Sequence, residues 1–480
     1  VGDTADTVQF VQNLKRLLES NAVRGLLKSI GGFEAIERYL AIYAGCRNAG
    51  GMKEKINSSL LSGVLSQAAA RFGVDEETLK HTLEDDAYRR GTANVLASIG
   101  EFGITMPQRL VAPFLVVWNF TTKCNLRCKH CYAAGRRGEL SLEQKLDVVD
   151  QLADAGVVAL AISGGEPLME DDLWEVASHA AERGLVVNVA TNGTLIDEDA
   201  ALKLKEAGTT YVEISLDSYI PEVHDTFRGV KGAYERTIEG IRHCVEAGLM
   251  VGIATTATKL NIEHIPHIIE LARNMKVDRV VVFNLVPTGR ASQNLELDLD
   301  PQERWRLLNY LYDELEKGEL EVFSTSPAYA VVALQRVAKG EGHEISPTHF
   351  AGMKVSTESF EHANILAEFI GGCGAGRIYC GIEANGDITP CVFLPIVVGN
   401  VREGFQKVWL ESDVLNSLRD RDGEHYECRG CEYRYVCGGC RARAYGYTKD
   451  VLAADPGCRL VEEVSTVGGN AHQPSSTIGH

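Results

Sequence analysis

Eleven of the thirteen cysteines in this chain fall into three dense groups: Cys124, Cys128 and Cys131; Cys373, Cys380 and Cys391; and Cys428, Cys431, Cys437, Cys440 and Cys458. This grouping constrains the fold more than any apolar pattern does. Thiolates at short spacing converge on metal, and the backbone between them must follow. A disulfide scaffold is the alternative in short secreted chains. This chain has 480 residues. It shows no basic segment leading into an apolar run with a small-residue cleavage site, so a cytoplasmic location is expected. No apolar run is long enough for a transmembrane helix. The net charge of −18 argues against a general nucleic-acid binder, which presents a basic face. Cys46 and Cys244 stand apart within helical patterns and read as buried thiols.

Residues 1–110 read as a helical N-terminal domain, a cap or docking module, with apolar residues three and four apart over 8–18, 33–43 and 56–72. The pattern changes near Phe114. Short apolar runs at 114–119, 157–163, 186–191, 211–216, 251–256 and 280–285 alternate with amphipathic stretches at 141–155, 172–183, 198–207, 233–247 and 265–274. Such βα units in series predict an α/β fold over 111–290. Its sheet is parallel, with right-handed crossovers. Six units are too few for a closed eight-stranded barrel and suit a partial six-stranded (β/α)6 barrel. Residues 291–372 read as a connector with one helix near 301–316, residues 373–460 as an irregular metal-dependent domain, and 461–480 as a disordered tail.

The first triplet, Cys124-x3-Cys128-x2-Cys131, follows the first strand. Loops at the carboxyl ends of parallel strands carry active sites in such folds. A cubic four-iron cluster takes four ligands, so three thiolates leave one iron open. Zinc is the competing reading, with His130 as a fourth ligand in a cramped loop.

The triplet with Tyr132 behind it resembles the signature of the radical S-adenosylmethionine (SAM) superfamily. Further motifs agree in order: Ser163-Gly164-Gly165-Glu166-Pro167 after the second strand, Asn192-Gly193 after the third, Ser215-Leu216-Asp217 after the fourth, His224 to Gly229 with Arg228, and Val286 past the sixth. The resemblance implies that Gly164, Gly165, Glu166 and Pro167 meet the SAM amine, with a carboxylate facing the ammonium. It also implies that Ser215 and Asp217 meet the ribose, Arg228 the SAM carboxylate and Val286 the adenine, with Tyr132 and Asn192 beside them. The implied chemistry is reductive cleavage of SAM to a 5′-deoxyadenosyl radical that abstracts a substrate hydrogen. An electron donor such as ferredoxin or flavodoxin is the implied partner.

The C-terminal cysteines are similar to the SPASM extension of peptide and cofactor maturases. Only Gly438-Gly439 separates the last two clustered cysteines, where three residues are usual. By resemblance, Cys373, Cys380, Cys391 and Cys440 hold one [4Fe–4S] cluster, and Cys428, Cys431, Cys437 and Cys458 hold another. That makes three clusters with the catalytic one. Zinc ribbons also suit paired cysteines, and a variant without Cys380 as ligand leaves one auxiliary iron open. Arg441 and Arg443 could anchor a substrate carboxylate or balance anionic clusters.

The closing segment looks most like the branch of haem-type tetrapyrrole decarboxylases and tungsten-cofactor maturases. The expected function is oxidative maturation of a cofactor precursor or peptide. Two alternatives stand beside it. One is radical modification of a membrane lipid approached through apolar faces at 26–33 and 36–43, and the other is a non-catalytic zinc scaffold.

Overall fold

A computed structural model describes residues 21–71, 75–133, 138–345, 355–356, 364 and 367–460. The helical pattern at 8–18 and the tail expected at 461–480 lie outside the described residues.

Five helices open the described chain: α1 (Asn21–Ile30), α2 (Phe33–Ala44), α3 (Met52–Arg71), α4 (Glu76–Glu84) and α5 (Asp86–Phe102). Their apolar stripes meet in a core of Leu27, Ile30, Phe33, Ile36, Leu40, Leu61, Leu83, Leu96 and Ile99. The stretches 26–33 and 36–43 therefore bury most of their apolar residues against each other and leave no broad face for a lipid. Cys46 is exposed, against the buried-thiol expectation, while Cys244 is buried as expected. Helix α5 docks on the rest of the chain through polar side chains. Arg90 donates to the carbonyls of Ala153 and Val157, and Asn94 to those of Ala112 and Gly156.

The six expected strands are present: β1 (Leu115–Thr121), β2 (Ala159–Gly164), β3 (Val186–Thr191), β4 (Thr209–Ser215), β5 (Met250–Ala257) and β6 (Arg279–Asn284). Between them run α6 (Leu142–Ala155), α7 (Leu173–Glu182), α8 (Glu198–Glu206), α9 (Pro221–Arg228), α10 (Ala233–Glu246) and α11 (Ile265–Asn274). Capping explains how sharply α6 begins: Ser141 and Gln144 satisfy each other's backbone N–H groups.

The sheet is larger than six strands. The connector supplies α12 (Pro301–Glu316), β7 (Glu321–Ser324) and α13 (Ala328–Ala338). The cysteine-rich segment supplies β8 (Tyr379–Ile382), β9 (Asp387–Thr389) and β10 (Gly399–Asn400), then α14 (Phe405–Glu411), α15 (Asp413–Arg419) and α16 (Arg441–Thr448). The strand order is β10-β9-β8-β1-β2-β3-β4-β5-β6-β7. From β8 through β1 to β7 the neighbours are parallel, and β9 and β10 add antiparallel edges. Pairing of β8 beside β1 brings the C-terminal cysteines against the first triplet's side of the sheet, which local sequence pattern cannot show. Two apolar cores fill the space between the sheet's outer face and its helices. No described helix is long and apolar enough to cross a membrane.

Candidate functional site

The inner face of the curved sheet encloses a cavity of about 1720 Å³. This exceeds the roughly 300–1,000 Å³ of a usual small-molecule pocket. Tyr88, Gly91, Thr92 and Val95 of α5 line it beside Phe114 and Leu115, so the N-terminal helices close one end. Cys124, Cys128 and Cys131 line it beyond the carboxyl end of β1.

The triplet loop is held from two sides. Arg127 N and Lys129 N donate to the carbonyls of Arg228 and Phe227 at the end of α9. Arg290 Nε donates to Cys128 O at 2.9 Å, and Arg290 N to Cys131 O at 2.8 Å. Burial pushes the Cys124 thiol up to about 11. A bound metal would reverse this, since coordination deprotonates the thiol outright.

Gly164 and Gly165 also line the cavity. Gly165 has no room for a side chain: a Cβ there would stand 1.9 Å from Lys123 O. Its N–H donates to Thr121 O, and Glu166 N–H donates to Lys123 O. This turn therefore splints the entry to the cysteine loop.

Glu166, whose carboxylate was expected to face the SAM ammonium, is engaged by protein donors. It is 0% exposed and off the cavity wall. Its carboxylate accepts from Thr191 Oγ1, Asn192 N and Leu168 N. Those bonds use it to tie the β2 and β3 turns together, which leaves the backbone at Gly164–Gly165 to face the cavity. Pro167 opens a buried 3-10 turn behind it. Asn192 reaches the cysteine loop, donating from Nδ2 to Asn125 Oδ1 at 2.8 Å.

Ser215, Arg228 and Val286 line the cavity, and Asp217 does not. Asp217 is 1% exposed and forms a 2.7 Å ion pair with Arg228, and Thr256 N donates to its Oδ1. It positions Arg228, whose Nη1 lies 3.7 Å from Cys128 Sγ. Burial would raise the Asp217 carboxyl. The guanidinium of Arg228, the neighbouring histidines and the Thr256 N–H outweigh it and hold the group below its usual range. Tyr132 donates to Asn119 Oδ1 and packs edge-on against Phe393.

The C-terminal cysteines divide by position. Cys373, Cys391 and Cys440 share an apolar cluster with Val286 and line the cavity. The Tyr379 hydroxyl donates to Cys391 Sγ at 2.7 Å. Cys428, Cys431, Cys437 and Cys458 lie off the cavity wall and within electrostatic reach of one another. Cys380, expected in the first set, stands off the cavity wall and within electrostatic reach of Cys391. Strand alternation on β8 points Tyr379 at the cavity and Cys380 at the opposite face, where it packs with Val116, Trp118, Trp409 and Leu415. Burial raises that thiol.

Arg441 and Arg443 are buried off the cavity wall. Arg441 donates to the carbonyls of Gly439, Val451 and Ala453, with Nη2 3.9 Å from Cys428 Sγ. Arg443 pairs with Asp455 and Asp298. Neither is available to a substrate carboxylate.

Several cavity residues were missed in the sequence. Asn119 donates to Glu383 Oε2 at 3.1 Å, and Asn188, Glu213 and Arg279 face the lumen. A polar residue in alternate register within a buried strand was the available signal. His130 stacks on Phe227 at 4.4 Å on the cavity wall, and burial lowers its pKa to about 4.

Cys124, Cys128 and Cys131 line one cavity with Cys373, Cys391 and Cys440, and cysteine thiolates are the donors that iron–sulfur clusters take. Models of the radical SAM superfamily and of the SPASM iron–sulfur cluster-binding domain match residues 118–272 and 373–432. The AdoMet-dependent heme synthase of Methanosarcina barkeri (strain Fusaro / DSM 804) is 36% identical over 352 residues, 72% of this chain and 96% of that protein. This chain belongs to the radical SAM superfamily.

It is an enzyme of the radical SAM/SPASM type, and its cofactors are SAM and [4Fe–4S] clusters. The mycofactocin maturase MftC of Mycolicibacterium smegmatis (strain ATCC 700084 / mc(2)155) is 30% identical over 360 residues, covering 73% of this chain and 83% of that protein. Its relatives thus include a heme synthase and a mycofactocin maturase. The fold matches Streptococcus suis SuiB bound to S-adenosylmethionine with a TM-score of 0.61 at 20% identity, over 89% of this chain and 92% of that one.

Proposed function

We propose that this enzyme performs an oxidative hydrogen abstraction on a tetrapyrrole-like cofactor precursor held between its SAM site and an auxiliary cluster. The observation that carries this reading is that Cys124, Cys128 and Cys131 share one large cavity with Cys373, Cys391 and Cys440. The heme synthase, at 36% identity, favours a tetrapyrrole over a peptide.

With its groups bound, the site would reductively cleave SAM and generate a 5′-deoxyadenosyl radical. The chain's own residues bind, orient and shield. Arg228, aligned by Asp217, would take the SAM carboxylate. The Gly164–Gly165 backbone would take the amine, with Glu166 and Asn192 holding both turns in place. Ser215 would meet the ribose, Val286 the adenine, and Tyr132 would close the wall beside Phe393. Cys428, Cys431, Cys437 and Cys458 would hold the outer auxiliary cluster. Cys373, Cys391 and Cys440 would hold the inner one, with Cys380 outside the ligand set. The α5 floor keeps the lumen from opening at its far end. Ferredoxin or flavodoxin would supply electrons, in the cytoplasm.

The test is anaerobic incubation with SAM, reductant and an iron tetrapyrrole deuterated on its carboxylate-bearing side chains. Deuterium should appear in 5′-deoxyadenosine. Unlabelled 5′-deoxyadenosine, with transfer from a peptide or a lipid vesicle instead, would reassign the substrate.

A further inference from the structure

Arg377 lies in the turn between Cys373 and β8 and is 1% exposed. Backbone bonds fix the turn: Arg377 N and Ile378 N donate to Gly374 O, and Gly376 N donates to Pro390 O at 2.8 Å. The side chain is hemmed in as well, since a Cβ on Gly371 would meet Arg377 Nη2 at 2.8 Å. Yet Nε, Nη1 and Nη2 of Arg377 all lack a hydrogen-bond partner. Its charged neighbours include two further guanidiniums, Arg421 and Arg419, and one thiol, Cys373.

The neighbouring arginines are satisfied. Arg421 donates to the carbonyls of Arg434, Tyr435 and Cys373, and Arg419 to those of Gly376 and Trp409. Arg377 alone of these three presents a buried fork of donors with no protein partner. A guanidinium is never deprotonated under ordinary conditions, and an unpaired buried charge is strongly destabilising. Burial, with Arg421 beside it, disfavours the charge on Arg377, as the missing hydrogen-bond partners also do. Arg377 is not among the residues that line the cavity. Cys373, a thiol neighbour, belongs to the inner auxiliary set proposed above. A thiolate-ligated cluster is net anionic, and its sulfurs accept hydrogen bonds that set its potential.

We propose that Arg377 is a positioning residue for the inner auxiliary cluster, donating to its sulfurs, balancing its charge and raising its reduction potential. This rests on the reading that Cys373, Cys391 and Cys440 hold a cluster. Reduction adds a negative charge, which a fixed cation favours.

The test is an EPR-monitored redox titration of the reconstituted holoenzyme and of Arg377→Gln and Arg377→Lys. The SAM-binding cluster is recognised by its spectral response to SAM. In Arg377→Gln one auxiliary signal should shift at least tenfold toward the oxidised form at fixed potential, or 59 mV for a one-electron couple. Arg377→Lys should shift less, and the other two clusters should hold. A soluble Arg377→Gln with full iron and all potentials unchanged overturns the proposal. If that variant is insoluble, wild-type enzyme labelled with 15N-arginine decides. The reduced auxiliary cluster should show an arginine-nitrogen coupling that Arg377→Lys removes, and no coupling overturns the role. A wild-type enzyme that reconstitutes only the SAM-binding cluster overturns the cluster reading itself, and is told apart by iron content.

Discussion

Breaking the Asp217–Arg228 pair from either side should cost more than a surface ion pair would, and breaking both sides together should cost less than the sum. The charges stand 2.7 Å apart with both side chains buried. At an effective dielectric of about 20, the Coulomb term alone is about 6 kcal/mol. Part of it offsets the desolvation of both ions. Removing one partner strands the other, at about 3–5 kcal/mol. For an unfolding unit of about 150–250 residues, that lowers the melting temperature by roughly 6–20 °C. The assay is anaerobic thermal denaturation of Asp217→Asn, Arg228→Met and the double variant Asp217→Leu/Arg228→Met. The double variant should recover most of the loss in either single variant, because apolar replacements leave no uncompensated charge. SAM binding should fall wherever Arg228 is gone. The pH sense follows from the lowered Asp217 pKa. Its stabilisation is present above the ordinary aspartate range and is lost as pH falls through the lowered value. The gap between wild type and Asp217→Asn should therefore close only in strong acid. Single variants melting within ~2 °C of wild type, or additive losses in the double variant, would refute the reasoning.

Three further outcomes are expected. Gly165→Ala should lower iron loading at the triplet and SAM cleavage together, because its Cβ lands 1.9 Å from Lys123 O; iron analysis and 5′-deoxyadenosine assay check this, and a fully loaded, active variant would be the contrary result. Replacing Cys124, Cys128 and Cys131 together by Ala should abolish 5′-deoxyadenosine formation and leave about eight of about twelve irons. Cys380→Ala should keep all the iron and the cluster spectra, since its thiol packs in the outer core; loss of about four irons would return Cys380 to the ligand set.

The cysteine grouping alone determined that this chain gathers thiolates for metal, because ligand spacing is a local property; that the metal is an iron–sulfur cluster came from the family resemblance. The alternation of apolar runs likewise determined six parallel strands in order, since each βα unit is stabilised by its own amphipathic period. What local pattern could not carry was pairing between distant segments. The parallel register of β8 on β1 joins Leu115 to Tyr379 and Val116 to Cys380 across more than half the chain. That register, with strand alternation, sets the Cys380 side chain in the outer core instead of on the cavity wall. In sequence, Glu166 and Asp217 read by resemblance as SAM contacts, and Arg441 and Arg443 as anchors for a substrate carboxylate or as balance for anionic clusters. Only the tertiary structure shows that each is consumed by protein partners, because a buried charge takes whichever counter-group the fold brings within reach. Arg377 was legible as a residue type beside Cys373. Its lack of any partner exists only in three dimensions.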